Sequence, residues 1–118
     1  MFSLNDSMRY WLYPYPTDMR KGFYTLSGIV RDQMGQDVKT GNVFIFVNRL
    51  CTGMKILHLE YGGLVIYHMK LESGCFKLPV FDENTRTYRT CWHDLMLMVR
   101  GLDSQGKVVR KRWSNPDK

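Results

Sequence analysis

The sequence predicts an α+β domain: an N-terminal helix, an antiparallel β-meander of four to five strands, a C-terminal helix and a basic tail. Three observations carry this expectation. Apolar residues near the N-terminus recur at spacings of three and four. The middle of the chain is a series of β-rich runs separated by short glycine turns. Helical spacing then returns around Leu95. The 118 residues suit one domain, divided into an aromatic, proline-punctuated arm (1–16), a single α+β domain (17–103) and a basic tail (104–118).

Tyr10, Trp11, Tyr13 and Tyr15 alternate with Pro14 and Pro16 in the arm. Proline fixes φ and removes a donor, so this segment reads as extended chain or an edge strand. Thr17 or Asp18 is expected to cap the first helix, because a short oxygen side chain accepts from the free N–H groups of a first turn. Met19, Phe23, Leu26 and Val30 fall on one face of a 3.6-residue period, the expected core face, and Gly35 is placed as the terminator. Gly22 then lies one turn inside the helix, where a close backbone contact would justify it.

Val43–Arg49 is the first meander strand. Both of its faces are apolar, with Phe44 and Phe46 on one side and Val43, Ile45 and Val47 on the other, so it is expected at the centre of the sheet. Met54–Glu60 follows, then a hairpin turn at Tyr61-Gly62-Gly63, then Leu64–Leu71. Ser73-Gly74 turns the chain into a fourth strand, Cys75–Val80. Tyr88–Thr90 adds a short fifth, and a second helix runs from Thr90 or Cys91 to a stop at Gly101. Short links between consecutive strands imply antiparallel pairing throughout.

A hydrophobic content of 44% is enough for a core and argues against a disordered chain. Lys and Arg total 17 against 11 Asp and Glu, a net charge of +6 that favours acidic partners such as nucleic acid, or serves solubility alone. Cys51, Cys75 and Cys91 are odd in number and lack CxxC spacing. They argue against a disulfide framework or a usual zinc site and fit a reducing cytoplasm. The N-terminus is not built as a signal peptide, and no apolar run approaches the ~20 residues that cross a bilayer.

No complete catalytic constellation, metal site or cofactor motif is expected. HExxH, GxSxG and Walker loops are missing from the sequence. His58 and His68 fall on adjacent strands, diagonal at best, with no third ligand in view. Two-metal nuclease chemistry requires converging carboxylates. Asp18, Glu60, Glu72, Asp82, Glu83 and Asp94 read instead as a helix cap, turn residues and surface partners, with Glu72 offered to Lys70, Lys77 or Arg20.

The basic residues form two sets. Arg20, Lys21, Arg49, Lys55, Lys70 and Lys77 lie at turns and strand ends; Lys107, Arg110, Lys111 and Arg112 precede Trp113 in the tail. Cations beside aromatic rings suit phosphates and stacked bases.

The run Asp18-Met19-Arg20-Lys21-Gly22-Phe23, with Leu26 and Val30 after it, resembles the DMRKG helix of the TnpB family. These are small accessory proteins from the second reading frame of bacterial insertion sequences of the "sixty-six" class, unrelated to the RNA-guided nucleases of that name. The likeness continues through Gly41, Phe44, Phe46, Asn48, Arg49, Lys55, Leu57, Gly63, Leu64 and Tyr67. It runs on through Leu71-Glu72, Gly74, Phe76 and Pro79 to Leu95 and Gly101-Leu102-Asp103. Where the family often has arginine, this chain has Val47 and Leu50; Met69-Lys70 replaces a Lys-Arg pair. Its strands therefore carry less positive charge.

The resemblance implies a role in transposition beside a larger, strand-transferring transposase. The expected function is that of an accessory protein that binds the element's DNA ends, its transposase or both, without catalysis of its own and without cofactor, metal or membrane. Arg20, Lys21, Arg49, Lys55, Lys70, Arg110, Lys111 and Arg112 are the expected contacts. Asp18, Gly22, Gly41, Phe44, Phe46, Gly63, Glu72, Gly74, Phe76 and Pro79 are the expected structural positions of the family pattern. The alternatives are a protein-interaction module with no DNA contact and a metal-dependent nuclease.

Overall fold

A computed structural model describes residues 4–78 and 88–100. Its sheet is formed by β1 (Tyr10–Leu12), β2 (Val43–Val47), β3 (Gly53–Glu60), β4 (Gly63–Lys70) and β5 (Tyr88–Thr90), in the order β4-β3-β2-β1-β5. The helices are α1 (Phe23–Asp32) and α2 (Trp92–Arg100), and a short 3-10 turn, Val38–Thr40, precedes β2.

The expected antiparallel meander led by a helix is not the architecture. The sheet is mixed: β1 pairs parallel with β2 and antiparallel with β5. The chain thus opens with a strand, crosses through α1 and returns beside that strand, as parallel neighbours require. Only β2, β3 and β4 follow one another as antiparallel neighbours. Residues 75–78 form no strand; the Phe76 N–H donates to the Cys51 carbonyl, and its ring is buried. Pro79 and Val80, the end of that expected strand, lie outside the described residues, as does Gly101.

Beyond β1 the chain stays bonded to β2. The Tyr13 and Thr17 N–H groups donate to the Ile45 and Val47 carbonyls, so odd-numbered residues of this segment face β2. Pro14 and Pro16 sit on the alternate side. Neither could donate there. The arm's aromatic strand is therefore interior to the sheet and not an edge.

The first helix starts later than its apolar spacing implied. Gly22, extended at φ −112°, is the N-cap with no side-chain cap, and α1 begins at Phe23. Nothing lies within 4 Å of a Cβ built on Gly22, so no close contact demands glycine there. Leu26, Ile29 and Val30 form the buried stripe, while Phe23 is half exposed. The end is tied by the Gln36 N–H donating to the Val30 carbonyl around Gly35 at φ 65°.

β2 is buried along its whole length because both faces are covered. Phe44, Phe46 and Leu57 pack with Leu26, Ile29 and Val30 of α1. Val43, Ile45, Val47, Met54 and Ile56 pack with Leu95 and Met98 of α2. The helices thus cover opposite faces, which is why the central strand is apolar on both.

Candidate functional site

Parallel strands that share a crossover helix send their carboxyl ends in one direction, and ligands of open α/β sheets gather at such ends. Here that end carries the loop from β1 to α1, residues 13–22, and the turn from β2 to β3, residues 48–52. Arg20 and Lys21 lie in the first, Arg49 in the second. Register places Lys70 opposite Gly53, at the same end of the sheet. Four cations that the sequence scatters over fifty positions therefore stand at one end of the fold.

The loop from β1 is built by its own side chains. The Asp18 carboxylate accepts from the Arg20 backbone N–H at 2.9 Å and forms an ion pair with the Arg20 guanidinium at 2.6 Å. That contact lowers the Asp18 carboxyl to about 2. Asp18 therefore organises a loop instead of capping a helix, and Arg20 does not reach Glu72. The Arg20 side chain is 91% exposed. Among the described residues the remaining ion pair is Arg31–Asp32 on α1, so Glu72, exposed, is not tied to Lys70 or Lys77.

Lys55 differs from the other cations. It is buried on the α1 face of the sheet beside Phe46, and its ammonium donates to the Lys21 carbonyl at 2.7 Å. It fastens the basic loop to the sheet and places its charge beneath it. The turn that carries Arg49 is closed by Asn48, whose carboxamide oxygen accepts from the Thr52 and Gly53 N–H groups at 2.9 and 3.0 Å. Gly53 leaves room for a close approach: a Cβ there would sit 3.0 Å from Met19 Cγ and 3.3 Å from Asn48 Nδ2. The two loops are thus packed directly on each other.

Two clefts follow from this packing. One, about 480 Å³, lies between Pro16–Met19 and Asn48–Leu50. The other, about 460 Å³, follows α1 from Lys21 and Tyr24 to Arg31. Pro16 and Thr17 wall both, so the clefts adjoin. Tyr24 is 91% exposed and Leu50 75%. Tyr24 had not been singled out; the usable signal was an aromatic residue on α1 that belongs to no apolar stripe.

The histidines do not assemble. Registers of His58 with Val65 and of Lys55 with His68 put the two imidazoles on opposite faces of the sheet. No group of His, Cys, Asp or Glu able to hold a metal occurs among the described residues. Burial, and then Cys75, raises the Cys51 thiol above its ordinary value, the wrong direction for a nucleophile. Among the described residues no helix is long and apolar enough to cross a membrane. Arg110, Lys111 and Arg112 of the tail, and Asp82 and Glu83, lie outside them.

The family described as "IS66 Orf2 like protein" matches residues 8–108, from the segment leading into β1 to beyond α2. The chain belongs to that family. It is also similar to "Uncharacterized protein y4jC" of Sinorhizobium fredii (strain NBRC 101917 / NGR234), 25% identical over 118 residues, covering 100% of this chain and 98% of the relative. A second protein of that strain, "Uncharacterized protein y4hO", is 28% identical over 79 residues, 67% of this chain and 69% of the relative. No solved structure matches the chain with significance. Family membership makes this an accessory protein associated with insertion-sequence transposition.

Proposed function

We propose that the protein serves transposition by binding the element's DNA, without catalysis of its own, through the end of the sheet that carries Arg20, Lys21, Arg49 and Lys70. The observation that supports this most is that those cations share one end of the sheet, where Lys21 and Arg49 line two adjoining clefts. Phosphates are bound by such cations, and α1 opens beside them with no side chain capping its N–H groups. Lys55 contributes charge from beneath. Arg110, Lys111 and Arg112 would extend the contact from the tail.

The test is a titration of the full chain against the element's terminal repeats over a range of salt. The log–log slope is expected near −0.9 for each phosphate contact. Arg20→Ala should weaken binding while leaving the melting temperature unchanged, since the exposed Arg20–Asp18 pair holds no other element in place. No binding at low salt would remove the reading.

A second partner, the transposase, is favoured by one feature. β4 is eight residues long and forms an outer edge of the described sheet, so a strand of another chain has a row of backbone groups to pair with. Co-purification of the two proteins after nuclease treatment tests it.

A further inference from the structure

We infer that the groove between α1 and the β1–α1 loop takes unpaired, single-stranded DNA, with Tyr24 as a stacking platform. This rests on the DNA reading above and names the form of DNA that the same site would hold. Duplex DNA offers phosphates and groove edges, but its base faces are already stacked on one another. A flat ring exposed beside phosphate-binding cations gains from a base only when that base is unstacked, and the contact is sequence-tolerant because every base has a π-face.

The groove has the parts this requires. Tyr24 projects from α1 with 91% of its surface exposed and lines the cleft with Lys21 and Arg31. Tyr15, 44% exposed, stands edge-on to Tyr13, which lines the same cleft, with 5.5 Å between ring centroids. Past Pro16 and Thr17 the neighbouring cleft continues to Arg49 and Leu50. A path along the ten residues of α1 is about 15 Å long, bordered by Lys21 at one end and by the Arg31–Asp32 ion pair at the other. Clefts of about 460 and 480 Å³ are the size of small-molecule sites and suit single nucleotides.

The opposite end of the sheet supplies the control. Tyr61, in the β3–β4 hairpin, is 94% exposed and lines neither cleft of the groove. If exposure alone made a ring bind, Tyr61 would serve as well as Tyr24.

The experiment is fluorescence anisotropy of the full chain with labelled oligothymidylate of about 16 nucleotides, against its duplex with oligoadenylate and against oligouridylate. At low salt the single DNA strand should bind at least about tenfold tighter than the duplex. Tyr24→Ala should weaken single-strand binding by about 5- to 100-fold, Tyr24→Phe should restore most of it, and Tyr61→Ala should change nothing. Melting curves confirm that each variant is folded. Equal affinity for duplex and single strand, both lost on Arg49→Ala, would leave the DNA reading standing and overturn this inference. So would Tyr24→Ala behaving like Tyr61→Ala, or a preference for oligouridylate. Binding to none of the three would overturn both.

Discussion

The two ends of the sheet are made from similar parts and carry different charge. At one end the β2–β3 turn lies against the β1–α1 loop; there Arg20, Lys21, Arg49 and Lys70 stand over buried Lys55, with Asp18 and Glu72 as the carboxylates among the described residues. At the other end lie the β3–β4 hairpin, which Glu60 enters, and the 3-10 turn, with Asp37 as its N-cap and Lys39 inside it. Among the described residues the first end holds a surplus of cations and two clefts of about 460 and 480 Å³; the second mixes acids and bases, with a cleft of about 270 Å³ beside Met8, His58 and Tyr61. Both ends sit on the same buried strands. A net charge of +6 spread along a sequence says nothing of direction. The fold gives it one, and that polarity is what a polyanion would sense.

The two ends also differ in what holds them, and that contrast can be tested. The largest effect is expected at the end opposite the basic one. Burial lifts the Tyr10 phenol from 10.0 to about 12. Because the folded state favours the neutral phenol, the stability this supplies is complete below pH 10 and is lost as pH rises through about 12. The difference amounts to about 3 kcal/mol. Urea unfolding at rising alkaline pH should show the parent losing more stability than Tyr10→Phe; parallel losses would refute the assignment.

A smaller effect is expected at the basic end. Asn48→Ala removes the acceptor of two turn N–H groups and the donor to the Thr52 hydroxyl, 3.1 Å away. A cost of about 1–3 kcal/mol should appear in chemical denaturation. DNA binding should fall with it, since the turn that carries Arg49 loses its closure. The smallest effect is at the hairpin. Tyr61 sits at φ 50° and Gly62 at φ 80°, the pair of left-handed residues that a two-residue turn needs. Asparagine tolerates that region better than tyrosine, so Tyr61→Asn should gain roughly 0.5 kcal/mol and leave DNA binding alone.

Much of the local structure was legible. The apolar pattern of residues 43–47 on both faces foretold a central strand, and β2 is central and fully buried. Tyr61-Gly62 foretold a hairpin, and Gly35 the end of α1. The start of α1 was misread because Met19 and Phe23 continue the apolar spacing of Leu26 and Val30. Met19 is apolar for another reason: it packs over Gly53, across the chain. Periodicity cannot distinguish a helix face from a loop that folds onto a sheet.

The sequence by itself determined which residues are apolar in which rhythm, where the chain turns, that the domain is basic, and which family it belongs to. These are local or additive properties, written in neighbouring residues or in sums over all of them. Only the tertiary structure decided that Tyr10–Leu12 enters the interior of the sheet parallel to β2, that Lys55 turns inward to the Lys21 carbonyl, and that the remaining cations share one end. A three-residue strand has too little pattern to announce its partner. Its place is set by what the partner strand and two helices leave open. Side chains distant in sequence become one surface only when that pairing has fixed the register.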